Sequence, residues 1–191
     1  MRLILFSLIL AASFSLATAQ TKTDLVPNDH FPERWKEFSL SGQYRVLFPD
    51  TPKESTTAVA TALGEMKVHS VNYKSFISYA VTSTQYPSEI ETKSNVKSFM
   101  DYLRDGSLAA VASGKPRVVS ESDFTLDGHP GRLLQIEFAD DTVVRFKWIA
   151  VKDRVYVLHV TTPKSRAKVT GSENDYEKIA NTFLDSFRLL K

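Results

Sequence analysis

Four histidines, His30, His69, His129 and His159, are the first side chains to weigh for proton transfer or metal ligation in this chain. No two of them lie at the spacing of a local metal site. They fall in four settings: a polar N-terminal stretch, a polar hairpin, a turn and an apolar strand. The chain has no cysteine, which excludes disulfides, thiol catalysis, Cys-ligated zinc or clusters, and a lipobox. No G-x-S-x-G elbow, P-loop, G-x-G-x-x-G, H-E-x-x-H or EF-hand spacing is present either. His159, beside Phe146 in the strand pairing derived below, reads as an ordinary hydrogen-bonded core histidine. The sequence therefore predicts no catalytic residue, no metal ligand set and no cofactor.

Softer features point the same way. Lys164, Arg166 and Lys168 form a short basic loop that reads as a solvated connection, with an anionic partner as the sharper alternative. Asp140 and Asp141 make an acidic hairpin tip with too few neighbouring oxygen ligands for calcium. Phe31 and Trp35 are expected to pack on the domain edge rather than stand out as an anchor.

The one stretch that brings unlike groups together is a run of three strands. Pairing Phe138 with Val144, Ile136 with Phe146 and Leu134 with Trp148 puts the apolar residues on one face. The same register sets Glu137 beside Arg145 and Gln135 beside Lys147 behind, and centres the loop on Asp141. A turn at Lys152-Asp153 then pairs Trp148 with Val157 and Phe146 with His159 in front. Behind, it pairs Ile149 with Tyr156, Lys147 with Leu158 and Arg145 with Val160. Residues 155–160 are apolar on both parities except at His159, the pattern of a central strand covered on each side by helix or loop. The rear face mixes charge with Leu133, Ile149, Tyr156, Leu158 and Val160. A helix is expected over most of its apolar part, with the Arg and Lys stems at the margin. Any groove left there, with Arg145, Lys147, Glu137 and Tyr156 about it, is the candidate binding site.

Further elements follow from periodicity and turn chemistry. Strands are predicted over Tyr44 to Phe48, stopping at Pro49-Asp50-Thr51-Pro52; Thr56 to Leu63 and Glu65 to Tyr73 about Gly64; Ile77 to Val81; and Arg117 to Leu126, before the Asp127-Gly128-His129-Pro130-Gly131 turn. Val96, Phe99, Met100 and Leu103 make the apolar face of a helix with Ser94 as N-cap, running toward Gly114. The closing helix has Ser172 as N-cap and a stripe of Tyr176, Ile179, Ala180, Phe183, Leu184 and Phe187, wide enough to require burial.

Residues 1–19 carry Arg2, an apolar run from Leu3 to Leu10, and Ala17-Thr18-Ala19 before Gln20. This reads as a secretory signal peptide rather than an uncleaved anchor, placing the protein in the periplasm or outside the cell. Residues 20–34 read as a flexible arm and 35–191 as a single α+β domain, long enough to bury about 70% of its unfolded surface. Lys and Arg number 24 against 22 Asp and Glu, and the leader removes one Arg, so the mature charge is near zero. Such a balance gives no field to gather nucleic acid or anionic lipid.

The chain resembles the small secreted bacterial proteins of the PsbP-like superfamily, which also includes a nuclear Ran-binding factor. The likeness lies in the Tyr44 to Pro52 strand and its proline stop, the Asp127-Gly128-His129-Pro130-Gly131-Arg132 turn, the Tyr156 to Val160 strand, and the closing Phe183-Leu184-Asp185-Ser186-Phe187-Arg188. These are packing and turn signatures. The resemblance implies an antiparallel sheet of about six or seven strands with helices covering both faces, and binding or assembly factors rather than enzymes. The expected function is an exported non-enzymatic binding or assembly module. Its partner would be a protein or small ligand of the cell envelope, and the chain a monomer or weak homodimer. The alternative is an enzyme or metal protein with a site dispersed over several strands.

Overall fold

A computed structural model describes residues 32–61, 64–86, 96–164 and 176–190. The leader, most of the arm with His30 and Phe31, the caps Ser94 and Ser172, and Arg166 and Lys168 lie outside the described residues.

Seven strands form one antiparallel sheet: β3 (Lys53–Thr61), β4 (Gly64–Lys74), β5 (Ser78–Gln85), β6 (Arg117–Leu126), β7 (His129–Glu137), β8 (Thr142–Val151) and β9 (Arg154–Pro163). Their order is β3-β4-β5-β9-β8-β7-β6, so β9 is the central strand, as its two-sided apolar pattern requires. A second, three-stranded sheet is built from β1 (Lys36–Leu40), β2 (Tyr44–Phe48) and β10 (Arg188–Leu189). Tyr44 to Phe48, the opening strand on the sequence pattern, is the middle strand of this small sheet, between β1 and β10, and pairs with no strand of the large one. The helices are α1 (Val96–Ala110) and α2 (Tyr176–Ser186). α1 runs through Gly106 and ends in a 3-10 turn at Ala112–Gly114, with Lys115 left-handed at φ 52°.

Two apolar clusters lie on opposite faces of the large sheet. One joins Val71, Tyr79, Val81, Leu158 and Val160 to the small sheet's Tyr44, Val46 and Phe48 and to α2's Ile179, Phe183 and Leu184. Every residue of the predicted α2 stripe is buried, Phe183 and Phe187 completely. The other joins Ile136, Phe146, Trp148 and Val157 to Met100 and Leu103 of α1. Trp35 is buried at the domain edge, against Tyr79 at 5.5 Å.

Turn chemistry fixes the registers. Asp127 and Gly128, at φ 52° and 86°, form a two-residue link that pairs Leu126 with His129. The β8–β9 turn falls at Lys152-Asp153 and every pairing expected across it is observed. Between β7 and β8 the predicted register is two residues out: Ile136 faces Val144 and Leu134 faces Phe146. The loop itself explains the difference. Phe138 N–H donates to the Thr142 carbonyl at 2.9 Å, Asp140 Oδ1 accepts from Thr142 N–H at 3.1 Å, and Asp141 takes φ 63°. These contacts make a three-residue loop over 139–141 and centre it on Asp140 rather than Asp141.

Candidate binding face

The corrected register changes the neighbours of the predicted site residues. Gln135, not Glu137, sits opposite Arg145, and Leu133, not Gln135, opposite Lys147. Arg145 is half-buried; its Nε donates to Gln135 Oε1 at 3.0 Å and its Nη1 to Thr162 Oγ1 at 3.3 Å. Glu137 accepts from Lys164 Nζ at 2.9 Å and Arg117 Nη2 at 2.5 Å. The Lys164 hydrogen bond, aided by Arg117 and opposed by partial burial, holds its carboxyl below the usual range.

Lys147 and Tyr156 lie deeper. The Lys147 ammonium donates to the Leu184 carbonyl at 2.8 Å and to Asp185 Oδ1 at 3.1 Å, with the Phe124 ring 5.4 Å away. A cation on the last carbonyls of α2 complements the negative end of its dipole, so this lysine fastens the helix to the sheet. Tyr156 is 4% exposed, its ring 5.6 Å from Tyr44 and 5.4 Å from Phe187; burial pushes its phenol up. The four residues thus separate into an outer pair, Arg145 and Glu137, and an inner pair under α2 and the small sheet.

What α2 leaves uncovered is the outer strip of β6 and β7. Leu133, 37% exposed, lies there opposite Ser122, with Ser120 and Gln135 in the next row toward Arg145. Three of the four exposed large hydrophobics among the described residues, Val118, Val119 and Leu133, belong to this ribbon. The three described histidines do not meet: His69 is 3.3 Å from Glu54, His129 lies at the β6–β7 turn, and His159 is buried beside Phe146 on the α1 side. Among the described residues no three His, Asp or Glu side chains could hold a metal.

No protein-family model and no curated protein matches the chain. Among solved structures it is similar to CyanoP, the cyanobacterial PsbP of Synechocystis sp. PCC 6803, at TM-score 0.56 and 11% identity over 90% of this chain and 98% of that one. The chain has a PsbP-like fold. A Pseudomonas aeruginosa protein of unknown function is also matched, at TM-score 0.35 and 15% identity, over 68% of this chain and 83% of that one.

Within this PsbP-like fold one charged cluster escaped the sequence reading. Arg132, the last residue of the Asp127 to Arg132 motif, is 4% exposed on the α1 side of β7. Its guanidinium meets Asp123 at 2.6 Å, Asp101 of α1 at 2.6 Å and Glu121 at 2.9 Å. Arg104 adds contacts to Asp105 at 2.9 Å and Glu121 at 3.5 Å. Burial works against the Arg132 charge, but its hydrogen bonds to Asp123 and Asp101 outweigh that and raise its pKa further. Arg132 in turn holds the Asp101 carboxyl below its ordinary value. The cluster ties α1 to the β6–β7 hairpin. Gly131 serves the same corner on the opposite face: a Cβ there would lie 2.6 Å from the Trp148 carbonyl and strike the Phe124 ring.

Proposed function

We propose that the chain is an exported binding or assembly module without catalytic activity, acting on a protein or small ligand of the cell envelope, not on nucleic acid, as a monomer or weak homodimer. In this reading α1 and α2 cover the two faces of the large sheet, and the strip beyond α2 is the recognition surface. The observation that carries it is that strip: Leu133 exposed among Ser120, Ser122 and Gln135, with Arg145, Arg117 and Lys164 at its margin. An apolar centre with a polar rim is the composition of a protein-binding patch. Elsewhere among the described residues, converging ionisable groups are spent on each other, as in the Arg132 cluster, or on a helix end, as at Lys147. Export rests on residues 1–19. No helix among the described residues is long and apolar enough to cross a membrane.

The test is capture of partners from an envelope extract by the mature protein and by a Leu133→Asp, Arg145→Ala variant. A specific partner held by the wild type and lost by the folded variant supports the reading. Equal capture by both removes this strip, and stoichiometric metal in the purified protein with turnover of a substrate would favour the dispersed-site enzyme instead.

A further inference from the structure

The two ends of the large sheet are built differently. At one end, the pairing of β6 shifts between Val118 and Ser120, and Glu121 and Asp123 follow at once. At the other, β3 pairs with β4 without a break, from Lys53 opposite Asn72 to Thr61 opposite Gly64. Its only charges, Lys53 and Glu54, stand at its start, and from Ser55 to Thr61 it has neither charge nor proline. Lys53 to Ala60 are exposed, apart from the half-buried Val59. Among the described residues no strand pairs with the outer side of β3.

In an antiparallel ladder alternate residues turn their backbone groups away from the partner, so about half of the β3 donors and acceptors point outward. Side chains do not shield them. Glu54, Thr56, Ala58 and Ala60 share the face of Val71 and α2, and Lys53, Ser55, Thr57 and Val59 the other; beyond Glu54 all are short. The Glu54 carboxylate is drawn inward, 3.3 Å from His69 Nε2 on β4. Proteins ordinarily blunt a free edge with charge, proline or a bulge. β6 carries two of these devices, and β3 has none from Ser55 onward.

We propose that β3 is the contact between two copies of this chain, paired antiparallel about a twofold axis at Thr57. Such a contact is isologous, so each interaction is made twice. In this register Ser55 faces Val59 of the other copy, Thr56 faces Ala58 and Glu54 faces Ala60. The charged residues of the two copies go to opposite ends of the ladder, so no like charges meet across it. The unlike ends of the sheet set the stoichiometry. Two open edges would let copies add without limit, whereas one open edge and one bulged, charged edge stop the sheet at two. Self-complementarity with this built-in stop makes the occupant a second copy. A single strand pair is a small contact, so the dimer is weak. Of the two oligomeric states in the proposed function, this selects the weak homodimer. β3 and β6 lie six strand spacings apart, about 29 Å, so pairing through β3 leaves the Leu133 strip open, and either reading can fail alone.

The test uses the mature protein and variants at exposed positions. Thr56→Lys, Ala58→Lys sets two pairs of like charges face to face across the axis. The chain has no cysteine of its own, so Thr57→Cys marks the axis and Ser122→Cys, on β6, serves as control. Sedimentation velocity over a concentration series should show reversible wild-type dimers, and Thr56→Lys, Ala58→Lys should need at least about tenfold more protein to form them. A short bismaleimide should link Thr57→Cys into a covalent dimer and leave Ser122→Cys monomeric. A wild type that stays monomeric throughout overturns the proposal, as does undiminished association of Thr56→Lys, Ala58→Lys or equal linking of the two cysteine variants. If the wild type is monomeric and Thr56→Lys, Ala58→Lys loses a partner captured from an envelope extract, the edge serves a foreign strand, which overturns the second copy as its occupant.

Discussion

At the scale of single residues, the buried ionisable groups make the sharpest predictions. His159 has a folded pKa of about 4 against an ordinary value of 6.5, because burial disfavours the imidazolium. The unfolded chain therefore binds more protons than the folded one between those values, and stability falls as pH drops from 6.5 to 4. The full effect is about 3 kcal/mol. Urea midpoints measured between pH 4 and 7 should slope in the wild type and flatten in His159→Leu; parallel slopes would show that the imidazole is not held neutral. Arg132 gives a second case. Removing it in Arg132→Met strands three carboxylates, but these are 28% to 66% exposed, so water screens them and the cost should be about 1–3 kcal/mol. Arg132→Lys should not restore the loss, since an ammonium cannot span Asp123 and Asp101 as the planar guanidinium does.

The elements show which parts of a sequence specify structure. Phe183→Ala should cost about 3–5 kcal/mol by opening a cavity between α2, Phe48 and Tyr79, while Asn181→Ala on the exposed side should stay within about 0.5 kcal/mol. Equal urea midpoints for Phe183→Ala and the wild type would mean that α2 does not dock. Its stripe was legible because a 3.6-residue period over three turns has one solution. The β7–β8 register was not, for a definite reason: a slip of two residues leaves every side chain on its own face, so alternation cannot distinguish the two pairings. The choice fell to Asp140 and Asp141, whose hydrogen bond and positive φ belong to the loop rather than the pattern. The Arg132 cluster was half legible. A two-residue turn at Asp127-Gly128 sets Asp123 opposite Arg132 by counting, whereas Asp101 and Arg104 arrive from α1, which no local register reaches. Lys147 was legible as a residue at a helix margin but not as the clasp on Leu184, because only the docked position of α2 puts that carbonyl above it.

For the whole molecule, the two end strands of the seven-stranded sheet decide whether copies of the chain can pair edge to edge. β3 and β6 close the order, and β6 is exposed at every residue from Arg117 to Asp123, with Val118 and Val119 each more than 40% exposed. A straight edge of that length invites another strand. β6 is not straight: the pairing shifts between Val118 and Ser120, so Val119 is an extra residue that bends the strand and breaks its ladder. Charge helps, with Glu121 and Asp123 just beyond the bulge. Deleting Val119 would leave Val118 opposite Ile136 and Ser120 opposite Gln135, each on its present face, and would make the edge regular. The expected outcome is that the wild type sediments as a monomer, or dimerises only weakly at high concentration, while the Val119 deletion associates at concentrations at least about tenfold lower. Sedimentation velocity over a concentration series checks this. If the deletion variant stays as monomeric as the wild type, the bulge is not what protects the edge; if the wild type already forms a tight dimer, β6 is an interface, and the strip around Leu133 lies beside it rather than facing a foreign partner.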